Sequence, residues 1–371
     1  MKQEVISILF IGPHRPGRNP SQRFRMEQYF PYLQQVGFRC DYSWFINEED
    51  DELFYSKGHI AGKFLLLLKA VRVRLRDLLQ AKKYDIVFVQ REAFMTGSVF
   101  FEKSFARSGA KLVYDFDDAI WLDDTSAANQ NLSWLKRPSK TADIIKVADL
   151  VIAGNQFLAD YAKTFNTNIV VIPTVVDTAV FKPGAKLKAA LAPVCIGWTG
   201  SSSTIKHFQL LLPVFRKLKE HYKEQIVIRL IGDKKAMTNE PWIEQVSWNA
   251  SGEVADLSQL DIGVMPLPDD TWSKGKCGFK AIQYMSLAIP CVVSPVGVNT
   301  EIIQHGINGM HAEDEEAWIS LLSKLIESPA LRKELGDVGR QTILQKYSVQ
   351  TQLKLLISQF RLVLSKKSNL K

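Results

Sequence analysis

The residues best suited to chemistry in this chain lie in the stretch 269–301. It begins as a basic loop, continues as an apolar helical run that stops at a proline, and then enters a short apolar strand. Glycine lets a backbone approach a ligand closely, and a helix beginning near Phe279 would point its first N–H groups at the loop. The loop and first turn supply two glycines and two lysines: Gly275, Gly278, Lys276 and Lys280. This pattern predicts a phosphate site, although an ordinary strand, loop and helix with solvated lysines explains it about equally well.

A second loop of this kind covers residues 198–206, where a strand runs into TGSSST at the head of a helix. Gly200 permits close approach, Ser201 can cap the helix or donate to a phosphate oxygen, and Lys206 follows one turn later. The loop lacks the GxxxxGK[ST] pattern of P-loops and the GxGxxG pattern of dinucleotide-binding folds, so neither ATP hydrolysis nor NAD binding is supported. Two such loops in one domain predict a diphosphate ligand.

In the first half of the chain, charged residues follow the predicted strands. Arg91 comes after one strand, and an acidic cluster comes after the next: Asp115, Asp117 and Asp118. Such a cluster can hold a divalent metal, but it lacks histidine partners, and no metal is expected. A row of arginines near the start suits an anionic group or is simply solvated: Arg15, Arg18, Arg23 and Arg25.

The order of elements predicts an α/β protein with doubly wound parallel sheets, because short apolar strands alternate with helical stretches in both halves. Strands are predicted at 5–11, 85–90, 111–115, 150–153, 169–173, 194–198, 226–232 and 261–265, and long helices at 22–36 and 205–222. We expect a first domain at 1–178, a linker at 179–192 and a second domain at 193–348. A helix and basic tail at 349–371 can cross back to the first domain.

The clearest amphipathic helix is predicted at 61–83, with seven basic residues and one acidic residue. Apolar residues follow the helical period on one side, and basic residues gather on the other: Phe64, Leu68, Val71, Leu75 and Leu79, then Lys69, Arg72 and Arg76. Such a helix can lie on an anionic membrane surface. The alternative interpretation is that its apolar side packs in the core and its basic side is exposed to solvent.

Composition narrows the class of protein. A hydrophobic fraction of 46% and a charged fraction of 23% are typical of a globular chain, and the net charge of +8 favours an anionic partner. The first residues do not follow a signal-peptide pattern, no run is long enough for a membrane span, and the four cysteines are too far apart for a zinc site. We therefore expect a cytoplasmic protein with reduced thiols. Nucleic-acid binding is not expected, because the basic residues are not interleaved with aromatics.

Four motifs together resemble a bacterial glycosyltransferase of family 4. They are SQRFRMEQY, YDFDDAIW, WTGSSST and GKCGFKAIQYMSLAIPCVVSPVGVNTEII, and the resemblance is most specific over residues 198–309. It implies the GT-B architecture, in which two Rossmann-like domains face each other across a cleft. The second domain would bind a nucleoside-diphosphate sugar, and the first would supply most of the site for a glycan or lipid-linked acceptor.

The resemblance also implies a mechanism. Transfer would retain the anomeric configuration without a metal or other cofactor, and Lys206 would neutralise the donor diphosphate. Backbone N–H groups at Gly278, Phe279 and Lys280 would hold the diphosphate. The side chains of Lys206 and Lys280 would stabilise the negative charge that develops on the leaving group. Asn299 and Glu301 are placed where sugar hydroxyls could be read.

Two departures from the family pattern affect the expected site. The family often has two glutamates eight residues apart, the second of which bonds the ribose, and these positions are Gly275 and Gln283 here. An arginine common before the lysine is replaced by Ser201. A catalytic base is not assigned, and Asp117 and His14 are the candidates on the acceptor side.

The leading hypothesis is therefore a hexosyltransferase of cell-surface polysaccharide synthesis, located in the cytoplasm or at the inner face of the membrane. Two alternatives on the same architecture stay open: a nucleotide-sugar epimerase and a scaffold without activity.

Overall fold

The computed structural model describes residues 5–56, 58–122, 137, 139–184, 192–233 and 238–366. It divides the chain into two compact units, the first formed by residues 1–174 and 352–371 and the second by residues 175–351. Parts of the predicted linker and tail, residues 185–191 and 367–371, lie outside the described residues.

The first unit contains a six-stranded parallel sheet within the described residues. Its order is β2-β1-β3-β4-β5-β6. The strands are β1 Ile6–Ile11, β2 Phe38–Ser43, β3 Ile86–Gln90, β4 Lys111–Phe116, β5 Leu150–Ala153 and β6 Ile169–Val171. Every residue of β3 is buried, which fits a central parallel strand covered on both faces.

The helices of the first unit connect these strands, and the last described helix of the chain packs on the same sheet. They are α1 Pro20–Arg25, α2 Phe30–Gln35, α3 Glu48–Tyr55, α4 Ile60–Gln80, α5 Phe100–Ala106, α6 Lys140–Val147 and α7 Gln156–Lys163. Phe360, on the helix Val349–Ser365, is fully buried, with its ring centroid 6.2 Å from those of Phe38 and Phe88.

The second unit repeats the architecture with another six-stranded parallel sheet among its described residues. Its order is β12-β11-β10-β7-β8-β9. The strands are β7 Val194–Gly200, β8 Ile226–Gly232, β9 Ile243–Ser247, β10 Ile262–Met265, β11 Cys291–Val293 and β12 Met310–His311.

The helices of the second unit alternate with these strands. They are α8 Ile205–Gln209, α9 Leu212–Tyr222, α10 Glu253–Ser258, α11 Thr271–Lys274, α12 Phe279–Ser286, α13 Asn299–Ile302, α14 Glu315–Glu327 and α15 Pro329–Lys346. The final helix, α16 Val349–Ser365, begins in the second unit and belongs to the first from residue 352 onward.

Two predicted long helices are wrong in the same way, because each contains a proline. The segment 22–36 forms α1, a 3₁₀ turn at Glu27–Tyr29 and α2, with Pro31 in the first turn of α2. The segment 205–222 is divided into α8 and α9, with Pro213 in the first turn of α9. Proline has no N–H to donate to the preceding turn and is tolerated only where a helix begins.

The orientation of α4 is opposite to the one expected for a core-packed helix. Its buried residues are Leu66, Ala70, Arg74 and Asp77, while the apolar residues Phe64, Leu68, Leu75 and Leu79 are exposed. Arg74 is fully buried and donates to Ser43 Oγ, to Asp77 and to two backbone carbonyls. The buried side of this helix is thus held by a polar network, and the apolar side faces outward.

No helix in the described part of the chain combines the length and apolar character needed to cross a bilayer.

Candidate functional site

The order of strands in the second unit creates a topological switch point between β7 and β10. The chain proceeds from β7 to β8 and β9 on one side of the sheet, and from β10 to β11 and β12 on the other. At such a switch point the loops after the two central strands separate and leave a crevice at their carboxyl ends. The loops that follow β7 and β10 are the two stretches that the sequence singled out.

Tyr284 on α12 joins the two central strands at this point. Its hydroxyl accepts a hydrogen bond from the Thr199 N–H at 3.1 Å and donates one to the Val264 carbonyl at 3.4 Å. Gly263 leaves room for the ring, since a Cβ there would lie 2.3 Å from it. Burial raises the pKa of Tyr284, so the phenol stays neutral and keeps both contacts.

The loop after β7 is organised by its own hydroxyl groups. Thr204 Oγ1 accepts from the Ser201 N–H and donates to the Ser201 carbonyl, each at 3.1 Å. The N–H of Ser202 donates to Asp233 at 3.0 Å. Because α8 has only five residues, its dipole is small. The positive charge at this loop therefore comes mainly from the exposed side chain of Lys206.

Three lysines act on one buried histidine in this crevice. His207 is 4% exposed, and burial lowers its pKa to about 4, with further repulsion from Lys280, Lys276 and Lys206. The loop after β7 provides one of these ammonium groups, and the segment after β10 provides the other two. The predicted cationic residues are therefore brought together in space, around a group that stays neutral at physiological pH.

Aromatic rings support two of the lysines. Lys280 Nζ lies 5.4 Å from the centroid of the Trp198 ring, and Lys276 Nζ lies 4.6 Å from that of Trp272. A ring face attracts a cation and orients its stem without neutralising the charge. These two tryptophans were not predicted as site residues.

Two acidic side chains in the segment after β10, Asp269 and Asp270, reduce the net positive charge around the lysines. Asp270 caps α11 through its bond from the Ser273 N–H, at 2.7 Å. Although burial opposes it, this bond and the nearby Lys206 ammonium group lower the pKa of Asp270. Lys274 pairs with Asp269 at 3.0 Å. Lys274 is thus engaged locally, and the cluster facing His207 has three cations and one carboxylate.

Close packing fixes the loop after β10 against the turn after β11. Gly278, at the start of α12, has a φ of 64°, and a Cβ there would lie 2.3 Å from Ile302 Cδ1. Gly297 has a φ of 55°, and its Cβ would lie 2.9 Å from the backbone of Lys274. Both positions require glycine for conformation and for space.

The two predicted sugar-reading residues lie in different environments. Asn299 is fully buried and donates to the Ser294 carbonyl at 3.0 Å, while its Oδ1 atom has no hydrogen-bond partner among the described residues. Glu301 is exposed, and its charge adds to the burial that raises the pKa of Tyr347 to about 12. The structure therefore separates them. Asn299 is the one next to Gly278, with Oδ1 3.2 Å from the point that a Cβ at Gly278 would occupy.

Gln283 is paired with a carboxylate that the sequence analysis did not identify. Its amide donates to Glu253 Oε1 at 3.1 Å, and the Trp248 indole N–H donates to the same oxygen at 3.2 Å. Gln283 and Glu253 are 3% and 6% exposed. At the position where the family pattern has a glutamate, this chain has an amide bonded to a glutamate from α10.

In the first unit the predicted acidic cluster is divided between two arginines. Arg25 and Asp115 form a buried pair, with Arg25 Nε 3.1 Å from Oδ2, and Asp115 raises the pKa of Arg25 although burial opposes it. Arg91 binds Asp117 at 2.8 Å and also Asp118. Burial alone would raise the pKa of Asp117, but the Arg91 guanidinium holds it below its ordinary value.

These pairs change what the residues can do. Arg25 is almost fully buried and also donates to the Ile172 carbonyl, so it is structural and not a surface anion site. Arg23 is half-buried with its guanidinium 4.8 Å from the Phe24 ring. Within the described residues, no group of three or more His, Cys, Asp or Glu side chains is arranged to hold a metal ion.

His14 follows β1 and is packed among aromatic rings. Its ring stacks on Tyr55, whose hydroxyl lies 3.2 Å from Nε2. Nδ1 lies 3.9 Å from Asp51 Oδ1, and Asp51 is also bound by Arg15 and Arg18. Burial lowers the pKa of His14 to about 4, partly offset by Asp51. Burial therefore keeps the His14 imidazole neutral and makes it a weak base.

Residues 193–328 match the family model described as Glycosyl transferases group 1. This match covers the second-unit part of the candidate site, from β7 through α14, and none of the first-unit residues. No curated protein matches the sequence.

Solved structures resemble the chain over nearly its whole length. Sucrose-phosphate synthase (tll1590) from Thermosynechococcus elongatus superposes with a TM-score of 0.68 at 13% identity, covering 96% of this chain and 99% of that one. Anabaena Alr3699/HepE in complex with UDP and glucose gives 0.65 at 16%, covering 95% and 99%. The lipopolysaccharide outer core galactosyltransferase WaaB, apo form, gives 0.58 at 16%, covering 96% and 99%. The predicted fold class is confirmed: two doubly wound parallel-sheet units of the GT-B type.

Proposed function

We propose that this chain is a glycosyltransferase whose second unit binds the diphosphate of a nucleotide-sugar donor. The observation that carries the proposal is the convergence of Lys206, Lys276 and Lys280 on the buried, neutral His207 at the switch point between β7 and β10. The matched family model over 193–328 and the GT-B neighbours support the same conclusion.

The chemistry requires positive charge where the donor breaks. When the bond from the sugar to the diphosphate is cleaved, negative charge grows on the leaving oxygen, and fixed cations near it lower the barrier. The three lysines provide this charge from the chain itself, in a reaction that we propose to proceed with retention and without a metal. Donor binding also neutralises their mutual repulsion, which strengthens the attraction to a diphosphate.

The nucleoside would lie beside Gln283 and Glu253. Because the Gln283 amide nitrogen donates to Glu253, its carbonyl oxygen is the atom left to accept from a ribose hydroxyl. Glu253 thus orients the Gln283 amide. Although position 283 is not a glutamate, its side chain still offers an oxygen that can accept a hydrogen bond from the ribose. Gly275 contributes no side chain, so the sugar would be read by other groups, among which the Asn299 Oδ1 atom is placed next to Gly278.

The acceptor would be a glycan or a lipid-linked sugar of cell-surface polysaccharide synthesis at the cytoplasmic face of the membrane. Support for this class comes from the neighbour that is a lipopolysaccharide galactosyltransferase. On the first unit, the candidate acceptor-side groups are the buried, neutral His14 and the ion-paired Arg91, Asp117 and Asp118, which follow β3 and β4.

A panel of UDP-, GDP- and ADP-sugars tests the proposal, starting with UDP-glucose because Alr3699/HepE is solved with UDP and glucose. We expect saturable binding of one nucleotide class by calorimetry and slow release of nucleoside diphosphate without acceptor. NMR of the product would show the donor's anomeric configuration retained. Absence of both binding and hydrolysis across the panel would refute the proposal, and a modified free sugar formed without acceptor would identify an epimerase.

A further inference from the structure

We propose that the outward face of α4 docks flat on an anionic lipid bilayer. We define the outward face as the exposed apolar residues Ile60, Phe64, Leu65, Leu68, Leu75 and Leu79. This face belongs to the first unit, and its docking does not depend on glycosyl transfer.

The exposed apolar residues form a continuous line and not a scatter. Phe64 is 57% exposed, Leu68 49%, Leu75 45% and Leu79 77%. Steps of four, seven and four residues return to nearly the same side of an α-helix, so the line runs along most of a helix about 30 Å long. Single exposed leucines are ordinary, but a contiguous apolar stripe marks an interaction site.

The helix cannot turn this face inward, because its opposite side is fixed. Arg74 is fully buried and bonded to Asp77 at 2.7 Å, to Ser43 Oγ at 3.0 Å and to the Gly12 and Ala93 carbonyls. Rotation of the helix would leave a buried guanidinium and a buried carboxylate without partners, which is costly.

Cations border the stripe and identify the chemistry of its occupant. Arg72 and Arg76 are exposed along one edge, and Lys82 and Lys83 are exposed at the C-terminal end. An apolar face bordered by basic residues complements an acyl-chain boundary beneath anionic headgroups. The long stems of these residues can cover apolar surface while their charged ends reach lipid phosphates.

Acidic residues of the neighbouring helix α3 do not cancel this charge. Asp50 pairs with Lys69, and Asp51 is held by Arg15 and Arg18. Lys69 lies on the side of α4 that contacts α3, where it neutralises Asp50. The exposed Glu48 pairs with Arg15 at 3.4 Å, and Glu49 and Glu52 are exposed on α3.

Vesicle flotation of the full chain tests the proposal with phosphatidylcholine alone and with equal parts phosphatidylcholine and phosphatidylglycerol. We expect binding to the mixed vesicles only, weakened by salt. The double variant Arg72→Gln, Arg76→Gln should reduce partitioning about 30-fold, and Phe64→Gln with Leu68→Gln should abolish it. Matched controls are Lys103→Gln with Arg107→Gln, two exposed cations of the same unit, and Val338→Gln with Leu344→Gln, two exposed apolar residues of the second unit.

Thermal unfolding confirms that each variant is folded, since every substituted side chain is exposed or lies at the surface. Failure of the wild type to float with mixed vesicles would overturn the proposal, as would equal flotation of the α4 variants and the wild type. Sedimentation that shows a dimer lost in Phe64→Gln, Leu68→Gln, with no lipid binding, would assign the face to a second copy of the chain and overturn it as well.

Discussion

The side-chain amide of Gln283 donates to the carboxylate of Glu253 across 3.1 Å, and both side chains are more than nine-tenths buried. They come from different helices, α12 and α10, separated by thirty residues. The carboxylate next to position 283 therefore comes from a neighbouring helix, α10.

Substitution of Gln283→Glu should destabilise the second unit by about 3 kcal/mol at pH 8, because two carboxylates would face each other in a buried site. The repulsion raises the folded pKa of the pair above the unfolded value. Stability is therefore lost as pH rises, and the defect should shrink at pH 5. Urea unfolding at the two pH values measures it.

The reversed double variant Glu253→Gln, Gln283→Glu serves as the control for this pair. It restores one carboxylate and one amide, so it should recover most of the lost stability. Equal destabilisation of the single and double variants would show that the 3.1 Å contact contributes nothing.

Removal of one lysine of the cluster should weaken donor binding without unfolding the protein. For Lys280→Ala we expect about 10- to 100-fold weaker binding of nucleoside diphosphate by calorimetry, because one charge-assisted hydrogen bond is lost. Lys274→Ala is the matched control in the same segment, since Lys274 is exposed and paired with Asp269. A surface ion pair of that kind contributes little to stability. The affinity of Lys274→Ala for nucleoside diphosphate should therefore stay within about two-fold of wild type. Similar losses in both variants would argue against a localised site.

Binding of a diphosphate should raise the pKa of His207 from about 4, because a negative ligand offsets the repulsion from Lys280, Lys276 and Lys206. Titration of the His207 ring by NMR, with and without UDP, measures the change. The exposed His221 ring, on α9 of the same unit, provides an internal reference. An unchanged or lowered pKa in the presence of bound UDP would place the nucleotide elsewhere.

The first unit should lose stability in mild acid because of His14. Its pKa falls from 6.5 to about 4 on folding, so the unfolded chain binds more protons between these values. Stability contributed by the neutral ring is present above pH 6.5 and lost as pH falls toward 4, by up to about 3 kcal/mol. His14→Gln should show a smaller drop in melting temperature between pH 7 and pH 5 than the wild type. An identical drop would assign the acid sensitivity to other groups.

The replacement Gly278→Ala tests whether the loop after β10 needs glycine for space. Its Cβ would meet Ile302 at 2.3 Å, whereas at Gly306, with a similarly positive φ of 76°, nothing lies within 4 Å of the added Cβ. Both alanines carry the backbone cost of a left-handed residue, and Gly278→Ala should cost about 1–3 kcal/mol more. Chemical denaturation measures the free energy of unfolding of the two variants. Equal losses would show that the loop after β10 can shift to accommodate the added Cβ.

The strands were readable from sequence because a parallel strand buried on both faces is a short apolar run. The predictions for β5 and β8 match Leu150–Ala153 and Ile226–Gly232. The two long helices failed at Pro31 and Pro213, which were visible signals that a helix had to restart.

The side of α4 that faces the core could not be read from its pattern. The regular spacing of Phe64, Leu68 and Leu75 fits both a stripe packed in the core and a stripe exposed to a membrane. A guanidinium whose partners lie at Gly12, Ser43 and Ala93 decides the orientation. Those partners are distant in sequence. The same limit applies to His207 and Glu253, whose roles depend on residues about seventy and thirty positions away.

The network around Arg74 has a consequence for how this protein can change over time. Because the inward side of α4 is anchored through polar contacts and the buried Leu66 and Ala70, substitutions on its outward side are not tied to the packing of the sheet beneath. That surface can drift, adapt to a different membrane composition or be redesigned as a tether, while the second unit keeps its sequence.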